Sequence, residues 1–277
     1  MKKYLVIGNP IGHSLSPTIH NHWMKKYHLV DSVYEKRKVE EKELKNIVEE
    51  IREDKIFGVN ITVPFKKLII PLLDKLDFSA EESQSVNTLF KINNQIVGYN
   101  TDSTGFWDTI RELYPQSDDS FMRPLKDKYI FILGAGGVAS SIISALKLQG
   151  ANNIIVSNRT KEKANDLKKL FPEINVLDWG KRPPICNVVI NTTSVGLTRD
   201  EELEIDFSDF DKNFHKNLLF YDLIYNPKET VFLKKARLRG NKTMNGKMMF
   251  LNQAKYAFNI WTNILPEIND EVIKLLD

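Results

Sequence analysis

The chain has 277 residues, of which 42% are hydrophobic and 27% charged, as in ordinary globular proteins. The net charge is only +3, and no basic patch interleaved with aromatic residues indicates nucleic-acid binding. The single cysteine, Cys186, excludes an internal disulfide, and its apolar neighbours predict a buried, unreactive thiol. The N-terminal segment is too poor in apolar residues for a signal peptide, and no stretch reaches membrane-spanning length. We therefore expect a cytoplasmic protein without membrane contact.

Strands and helices alternate along the chain, which predicts an α/β protein with parallel sheets. In the first half we expect strands at 4–7, 33–39 and 58–63, helices at 17–28, 41–52 and 104–113, and a hairpin over 88–98 around Asn93-Asn94. Residues 114–127 carry two prolines, serines and acids without periodicity, which predicts a linker. The sequence assigns this segment no function.

The second half begins with a unit rich in glycine. Here we expect strands at 129–133, 153–157, 187–192 and 218–223, and helices at 138–149, 247–261 and 268–276. Two domains follow: residues 1–102 with 243–277, and a dinucleotide-binding domain over residues 103–242. We expect the substrate in a cleft between them, where ligand sites are common.

The most informative motif is IFILGAGGVAS at residues 130–140, an apolar strand that breaks into glycines before a helix. Gly134 permits the tight turn, Gly136 lets the backbone approach a pyrophosphate, and Ala139 keeps helix and strand close. The helix N-terminus adds partial positive charge. Gly150 is placed to end the helix. The alternative is a glycine turn that binds nothing.

The end of the next strand indicates which dinucleotide is bound. An NAD site requires a carboxylate there, whereas this chain has Ser157, Asn158, Arg159, Thr160 and Lys161 before Glu162. A guanidinium and a hydroxyl suit a 2′-phosphate, so the pattern favours NADP(H) over NAD(H). Alternatively, Arg159 is a solvated residue at a helix start and Thr160 is the N-cap.

Polar residues near the N-terminus suggest a second site. Ser16, followed by Pro17, is an ordinary helix N-cap, but with Ser14 it could instead cradle a carboxylate at the helix N-terminus. The histidines at 13, 20 and 22 do not predict a metal site, because residues two apart on a helix face different ways and no cysteine or carboxylate cluster joins them.

Four further polar residues lie at predicted helix starts or in apolar surroundings, and each has a structural or a functional interpretation. Lys66 follows a strand that runs into a helix started by Pro64, and taken alone it is a surface lysine. Asn87 lies among apolar residues, so its amide needs a partner. Asp102 opens a helix, for which Asp102 or Ser103 is the simplest N-cap. Gln253 shares an apolar helix face, so it needs a ligand or a polar network.

Together these motifs resemble those of the shikimate dehydrogenases, in order and spacing over nearly the whole chain. The matching strings are Gly8-Asn9-Pro10, His13-Ser14-Leu15-Ser16-Pro17, His20-Asn21, Asn60-Ile61-Thr62-Val63-Pro64-Phe65-Lys66, Val86-Asn87-Thr88, Asn100-Thr101-Asp102, Gly134-Ala135-Gly136-Gly137, Asn158-Arg159-Thr160, Asn191-Thr192-Thr193-Ser194-Val195-Gly196, Tyr221-Asp222-Leu223-Ile224-Tyr225-Asn226-Pro227, and Gln253-Ala254 with Ala257-Phe258. The resemblance implies reversible NADPH-dependent reduction of 3-dehydroshikimate to shikimate, on the route to chorismate and the aromatic amino acids.

The resemblance also implies roles for individual residues. Lys66 and Asp102 would be the catalytic pair. The residues implied to bind substrate are Ser14 and Ser16 at the carboxylate, Thr62, Lys66, Asn87, Asp102 and Gln253 at the hydroxyls, and Tyr225 near the nicotinamide. The residues implied to bind NADP are Gly134, Ala135, Gly136, Gly137, Val138, Ala139, Asn158, Arg159, Thr160 and Gly246. No metal is implied, and the chain would be a monomer or homodimer.

The chain departs from the family pattern at two places. Gln84-Ser85 replaces the usual Gly-Ala before Val-Asn-Thr, and Met248 replaces the second glycine of Gly-Leu-Gly-Met-Leu. The second departure lies near the expected nicotinamide contact and bears on cofactor affinity. Three alternatives stay open: a quinate/shikimate dehydrogenase that uses NAD(P), an aminoshikimate dehydrogenase, and a non-catalytic NADP-binding sensor, although a sensor would be expected to lack the Lys66–Asp102 pair.

Overall fold

The computed structural model describes residues 1–114, 123–183, 185–198, 201–203, 205, 207 and 218–277. The chain forms two compact units, Met1–Asp108 with Leu251–Asp277, and Thr109–Phe250. Among the described residues, no helix has the length and apolar character needed to cross a membrane. The predicted linker at 114–127 lies largely outside the described residues.

The first unit is built on a six-stranded sheet of order β2-β1-β3-β5-β6-β4. Its elements are β1 (Lys2–Gly8), α1 (Ser16–Lys26), β2 (Ser32–Lys38), α2 (Leu44–Arg52), β3 (Gly58–Ile61), β4 (Lys75–Leu76), α3 (Phe78–Ser83), β5 (Thr88–Ile92) and β6 (Gln95–Tyr99), and α4 (Thr101–Leu113) follows β6. Short 3-10 helices stand at Glu41–Glu43 and Ile70–Leu72.

This sheet is mixed, with parallel strands as expected and an antiparallel pair where the hairpin was predicted. β1 is parallel to β2 and β3, but β5 is antiparallel to both β3 and β6. The reason is the predicted hairpin between β5 and β6. Asn93 and Asn94 both take left-handed backbone angles there, as a two-residue hairpin turn requires.

The core of the first unit forms where α2 lies against the sheet. Leu44, Ile47, Val48 and Ile51 recur at the spacing of one helix face, and all four are buried. The segment after β3 is not the predicted helix. Residues 63–69 form successive turns, in which Phe65 is buried and the Lys66 side chain is largely shielded from solvent.

The second unit holds a parallel six-stranded sheet of order β12-β11-β10-β7-β8-β9. Its elements are β7 (Tyr129–Leu133), α5 (Gly137–Leu148), β8 (Asn153–Ser157), α6 (Lys161–Leu170), β9 (Asn175–Leu177), β10 (Val188–Asn191), β11 (Leu219–Asp222), α7 (Val231–Leu238) and β12 (Lys242–Met244). The first turn of α8 (Lys247–Thr262) also belongs to this unit, whereas the rest of α8 and α9 (Asp270–Lys274) belong to the first unit. The order reverses between β8, β7 and β10, as in Rossmann folds, where ligands bind beside the carboxyl ends of those strands.

The sequence missed several short elements of both units. Among them are β4, α3, α6, β9, α7 and β12. Most are two to six residues long or strongly charged, so they carry too little hydrophobic periodicity to be recognised. The buried thiol was predicted correctly: Cys186 is fully buried, and burial raises its pKa to about 12.

Candidate active site

A lysine and an aspartate meet in the first unit. Lys66 Nζ donates to Asp102 Oδ2 at 2.5 Å, and the two side chains are only 12% and 7% exposed. The backbone around Lys66 is fixed because Val86 N donates to the Lys66 carbonyl oxygen at 2.8 Å. Asp102 lies in the first turn of α4, where the helix dipole favours a carboxylate. The structure therefore brings the predicted catalytic pair together.

Asn100, rather than Asp102 or Ser103, caps α4, so those two assignments are wrong. Asn100 Oδ1 accepts from Ser103 N at 3.1 Å, and its Nδ2 donates to the Ser85 carbonyl oxygen at 2.7 Å. Because another residue caps the helix, the Asp102 carboxylate is left available to Lys66.

Asn87 also belongs to this cluster, and the prediction that its amide needs a partner is confirmed. Its Nδ2 donates to Asp102 Oδ1 and to Thr101 Oγ1, each at 2.9 Å. Asn60 and Thr88 extend the same network but were not predicted as site residues. A signal was present, since Asn60, like Asn87, is an amide in an otherwise apolar strand sequence.

Ser14 and Ser16 lie together at the start of α1. Ser14 Oγ donates to Ser16 Oγ at 3.2 Å, and Ser16 N donates to Ser14 Oγ at 3.3 Å. Ser16 is the first residue of the helix and not its cap, so that structural interpretation is wrong. The two hydroxyls lie at the N-terminus of α1, where the helix dipole favours an anion.

Thr62 and Gln253 occupy two other parts of this unit. A Cβ on Gly8 would lie 2.5 Å from Thr62 Cγ2, so glycine at the end of β1 allows Thr62 its position. Gln253 is half-buried in α8, which packs closely on α4. A Cβ on Gly105 would lie 2.7 Å from Gln253 N, so α4 needs a glycine at this crossing.

The histidines form no metal centre in the part of the chain that is described, where no group of three candidate ligands occurs. His20 is fully buried, with its ring stacked on Tyr34 at a centroid distance of 4.3 Å. Burial lowers the pKa of His20 to about 3, so the ring is neutral. His20 is therefore a packing residue between aromatic rings.

The glycine-rich turn between β7 and α5 has the geometry that its sequence predicts. Gly134 has φ +108°, and a Cβ there would lie 2.4 Å from Thr192 Oγ1. Gly136 is the N-cap of α5, without a side-chain cap, and a Cβ on it would meet nothing within 4 Å. Ala139 is fully buried. Open space therefore lies beside Gly136 at the N-terminus of α5, a position that favours a phosphate.

The Asn158-Arg159-Thr160 segment connects β8 to α6. Asn158 Nδ2 donates to the Thr160 carbonyl oxygen at 2.7 Å, and Arg159 is exposed. Thr160 stands at the N-cap position of α6, but its side chain makes no capping hydrogen bond. The alternative in which Thr160 serves only as a cap therefore lacks its defining contact.

Gly246, Tyr225 and Met248 lie around the start of α8. A Cβ on Gly246 would lie 2.0 Å from the Leu223 carbonyl oxygen, so no other residue fits. The Tyr225 ring stacks on Phe250 at a centroid distance of 4.5 Å. Met248, in the first turn of α8, is half-buried.

Asp222 anchors the loop after β11. Its carboxylate accepts from Thr230 Oγ1 at 2.6 Å, Asn191 Nδ2 at 3.0 Å and Ile224 N at 3.1 Å. Burial raises the pKa of Asp222 to about 6 despite these hydrogen bonds. The contacts join the loops after β10 and β11 at the same edge of the sheet.

Two family profiles match the chain. Residues 6–89 match the shikimate dehydrogenase substrate binding domain, and residues 118–225 match shikimate / quinate 5-dehydrogenase. Shikimate dehydrogenase (NADP(+)) of Pelagibacter ubique is 49% identical over 276 residues, covering 100% of this chain and 99% of that protein. The enzyme of the same name from Aquifex aeolicus is 41% identical over 258 residues, or 93% and 90% of the two chains.

The fold is also similar to solved structures of shikimate dehydrogenases. The crystal structure of shikimate dehydrogenase from Aquifex aeolicus matches with a TM-score of 0.83 at 36% identity, covering 100% of this chain and 97% of its own. Shikimate 5-dehydrogenase from Thermus thermophilus, in complex with NADP(H) and shikimate, matches with a TM-score of 0.84 at 28% identity, covering 100% and 98%. The sequence and the fold both match those of these relatives along the whole chain. The chain therefore belongs to the shikimate dehydrogenase family.

Proposed function

We propose that this protein catalyses the reversible NADPH-dependent reduction of 3-dehydroshikimate to shikimate, in the biosynthesis of aromatic amino acids. The observation that carries the proposal is the 2.5 Å contact between Lys66 Nζ and Asp102 Oδ2. A shielded lysine held by a carboxylate is a proton donor at a fixed position, as a carbonyl reduction requires. Relatives named for this activity span the whole chain.

When bound, the nicotinamide supplies the hydride to the ketone carbon. The ketone oxygen gains negative charge as the hydride arrives, and Lys66 Nζ donates the proton that neutralises it. Asp102 orients Nζ and balances its charge before the transfer. In the reverse direction the neutral amine of Lys66 takes the proton of the shikimate hydroxyl.

The substrate would be held by groups on several elements of the first unit. The hydroxyls of Ser14 and Ser16, 3.2 Å apart at the start of α1, suit the substrate carboxylate. We assign Thr62, Asn87 and Gln253 to the ring hydroxyls, together with Lys66 and Asp102. We also place Tyr225, from the second unit, near the nicotinamide.

The residues of the second unit fit NADP. The open space beside Gly136 and the α5 N-terminus suits the pyrophosphate, with Ala135, Gly137, Val138 and Ala139 completing the turn. The exposed guanidinium of Arg159, with Asn158 and Thr160, suits the 2′-phosphate. Gly246 would let the backbone approach the nicotinamide, and Met248 would modify that contact.

The test is an absorbance assay of purified protein with shikimate or quinate as substrate and NADP or NAD as acceptor. We expect shikimate with NADP to react much faster than any other pair. Faster turnover with quinate or NAD would assign the chain to the quinate/shikimate dehydrogenases. Turnover of aminoshikimate in preference to shikimate would assign that substrate instead. NADP binding without any turnover would indicate a sensor.

Lys66→Ala tests the catalytic pair. We expect kcat to fall by about 10²- to 10⁴-fold, because a positioned proton donor typically contributes that much, while KM for NADP stays unchanged. Lys67→Ala, at the exposed neighbouring lysine, is the control and should keep normal turnover. Near-normal kcat of Lys66→Ala at saturating shikimate would refute the assigned role.

A cytoplasmic location and a monomeric or homodimeric state complete the proposal. Fractionation of cells and light scattering of the purified protein test these two points.

A further inference from the structure

Hydrogen bonds connect Tyr34 in β2 to Asp102 in α4 without a break. Tyr34 Oη donates to Asn60 Oδ1 at 2.6 Å, and Asn60 Nδ2 donates to Thr88 Oγ1 at 3.0 Å. Thr88 Oγ1 donates to Asn87 Oδ1 at 3.0 Å, and Asn87 Nδ2 donates to Asp102 Oδ1 at 2.9 Å. No member of this series is more than 7% exposed. We call these five side chains the buried relay.

Backbone groups fix the orientation of both amides in the buried relay. Asn60 Nδ2 also donates to the Asn87 carbonyl oxygen at 3.1 Å, and a carbonyl can only accept. Asn60 Oδ1 must therefore face Tyr34. Asn87 Oδ1 accepts from the Thr101 backbone N–H at 2.8 Å, and an N–H can only donate. Asn87 Nδ2 must therefore face Asp102.

Thr88 has a single hydroxyl proton, and its direction follows from these two orientations. The Thr88 hydroxyl oxygen faces a donor, Asn60 Nδ2, and an acceptor, Asn87 Oδ1. Its proton must therefore point to Asn87. Asp102 Oδ1 in turn accepts from Asn87 Nδ2, which leaves Oδ2 to accept from Lys66 Nζ.

We propose that Thr88 is a positioning residue: its hydroxyl and the Thr101 N–H both donate to Asn87 Oδ1 and so hold the amide that donates to Asp102 Oδ1, which leaves Oδ2 to Lys66. The inference rests on the proposed catalytic pair and adds to it a residue that holds its orientation. Tyr34 supplies the first donor, and burial raises the pKa of its phenol well above its ordinary value, so it stays protonated. Thr88 touches neither Lys66 nor Asp102 directly and acts only through the amide.

Thr88→Val tests the proposal by removing the hydroxyl at nearly constant shape. We expect kcat to fall roughly tenfold, while KM for NADP changes less than about twofold, because misorientation of Asp102 affects the chemical step and not the cofactor site. Thr88→Ser keeps the hydroxyl and should restore kcat. Ser83→Ala is the control: its fully buried hydroxyl donates to the Ser79 carbonyl oxygen, outside the buried relay.

Normal kcat in Thr88→Val would overturn the inference, as would a failure of Thr88→Ser to restore it. An equal loss in Ser83→Ala would also overturn it, by showing that any buried hydroxyl has this effect. These outcomes are separate from the test of the catalytic pair, since only normal turnover in Lys66→Ala refutes the pair itself.

If Thr88→Val does not fold, neutron diffraction of the perdeuterated, unmodified protein still decides the question. We expect the Thr88 deuteron to point at Asn87 Oδ1 and both deuterons of Asn87 Nδ2 to point away from Thr88. A Thr88 deuteron directed elsewhere, or an Asn87 amide in the opposite orientation, would overturn the proposal.

Discussion

Arg159 is the side chain to which we assign the preference for NADP. It follows β8 by two residues, where an NAD site requires a carboxylate, and its guanidinium is exposed to solvent. A guanidinium can bind a phosphate by two parallel hydrogen bonds, each strengthened by charge, whereas a ribose hydroxyl offers no such charge.

Arg159→Gln should therefore raise KM for NADP by about 10- to 100-fold, since a charge-assisted hydrogen bond contributes about 1.5–3 kcal/mol. KM for NAD should change little. Lys168→Gln, an exposed cation in the last turn of α6, is the matched control and should leave both constants unchanged. Steady-state kinetics with both cofactors check this, and an equal rise for NAD would contradict the 2′-phosphate assignment.

Asp222 makes stability depend on pH. Its pKa is about 6 in the folded protein against an ordinary value of 3.8, so the folded state holds the proton more tightly. The stabilisation from this group is fully present below pH 3.8 and is lost as pH rises through about 6. The change amounts to about 3 kcal/mol.

Asp222→Asn removes this titration. Its free energy of unfolding relative to the unchanged protein should rise as pH increases from 4 to 7, measured by urea denaturation. Asp178→Asn should show no such rise over this range, because the Lys161 ammonium lowers the pKa of Asp178 from 3.8, so this carboxyl titrates below pH 4. If the difference in free energy of unfolding between Asp222→Asn and the unchanged protein does not depend on pH, Asp222 has the same pKa in the folded and unfolded states.

At the scale of an element, α3 ends in a strained residue. Gln84, at its C-cap, has φ 47° and ψ 44°, in the left-handed region that favours glycine. Shikimate dehydrogenases usually have glycine here, so the departure noted in the sequence has a local conformational cost. Gln84 Nε2 offsets part of that cost by donating to the Glu81 carbonyl oxygen at 2.8 Å.

Gln84→Gly should raise the free energy of unfolding by about 0.5–1 kcal/mol, because relief of the left-handed conformation outweighs the added freedom of the unfolded chain. Glu82→Gly, two residues earlier within the exposed face of α3, should lower it by about 1 kcal/mol. Thermal denaturation of both variants measures the difference. Destabilisation by Gln84→Gly would mean that the side-chain hydrogen bond dominates.

At the scale of the whole molecule, the first unit is assembled from both ends of the chain. Trp261 in α8 donates from Nε1 to the Leu89 carbonyl oxygen at 3.0 Å, and a Cβ on Gly58 would lie 2.4 Å from Trp261 Nε1. The rings of Tyr4 and His20 surround it at centroid distances of 5.3 and 5.4 Å. Helix α8 therefore completes a core begun by the first strand.

Trp261→Ala should cost about 3–5 kcal/mol through lost packing, and the loss should be confined to the first unit. Hydrogen exchange should quicken in residues 1–108 and 251–277 and stay unchanged in residues 123–183. Phe232→Ala, in the core of the second unit, should give the reverse pattern. Faster exchange throughout the chain in both variants would show that the two units unfold together.

The sequence by itself determined those elements and motifs that depend only on residues close together in the chain. The Gly134–Gly136 turn, the Asn93-Asn94 hairpin and the amphipathic α2 follow from backbone freedom and hydrophobic spacing within a few residues. The resemblance added the family, which comparison with known proteins confirmed. Short elements such as β4 and β9 were missed, because two or three residues carry no periodicity.

The tertiary structure decided which polar groups meet. Asn100 rather than Asp102 caps α4 because the hairpin and the loop before β5 bring Ser85 to Asn100. The buried relay joins residues up to 68 positions apart in sequence, from Tyr34 to Asp102, and spacing along the chain does not encode the direction of its hydrogen bonds. Hydrogen bonding depends on distance and orientation in space, which only the packed sheet supplies.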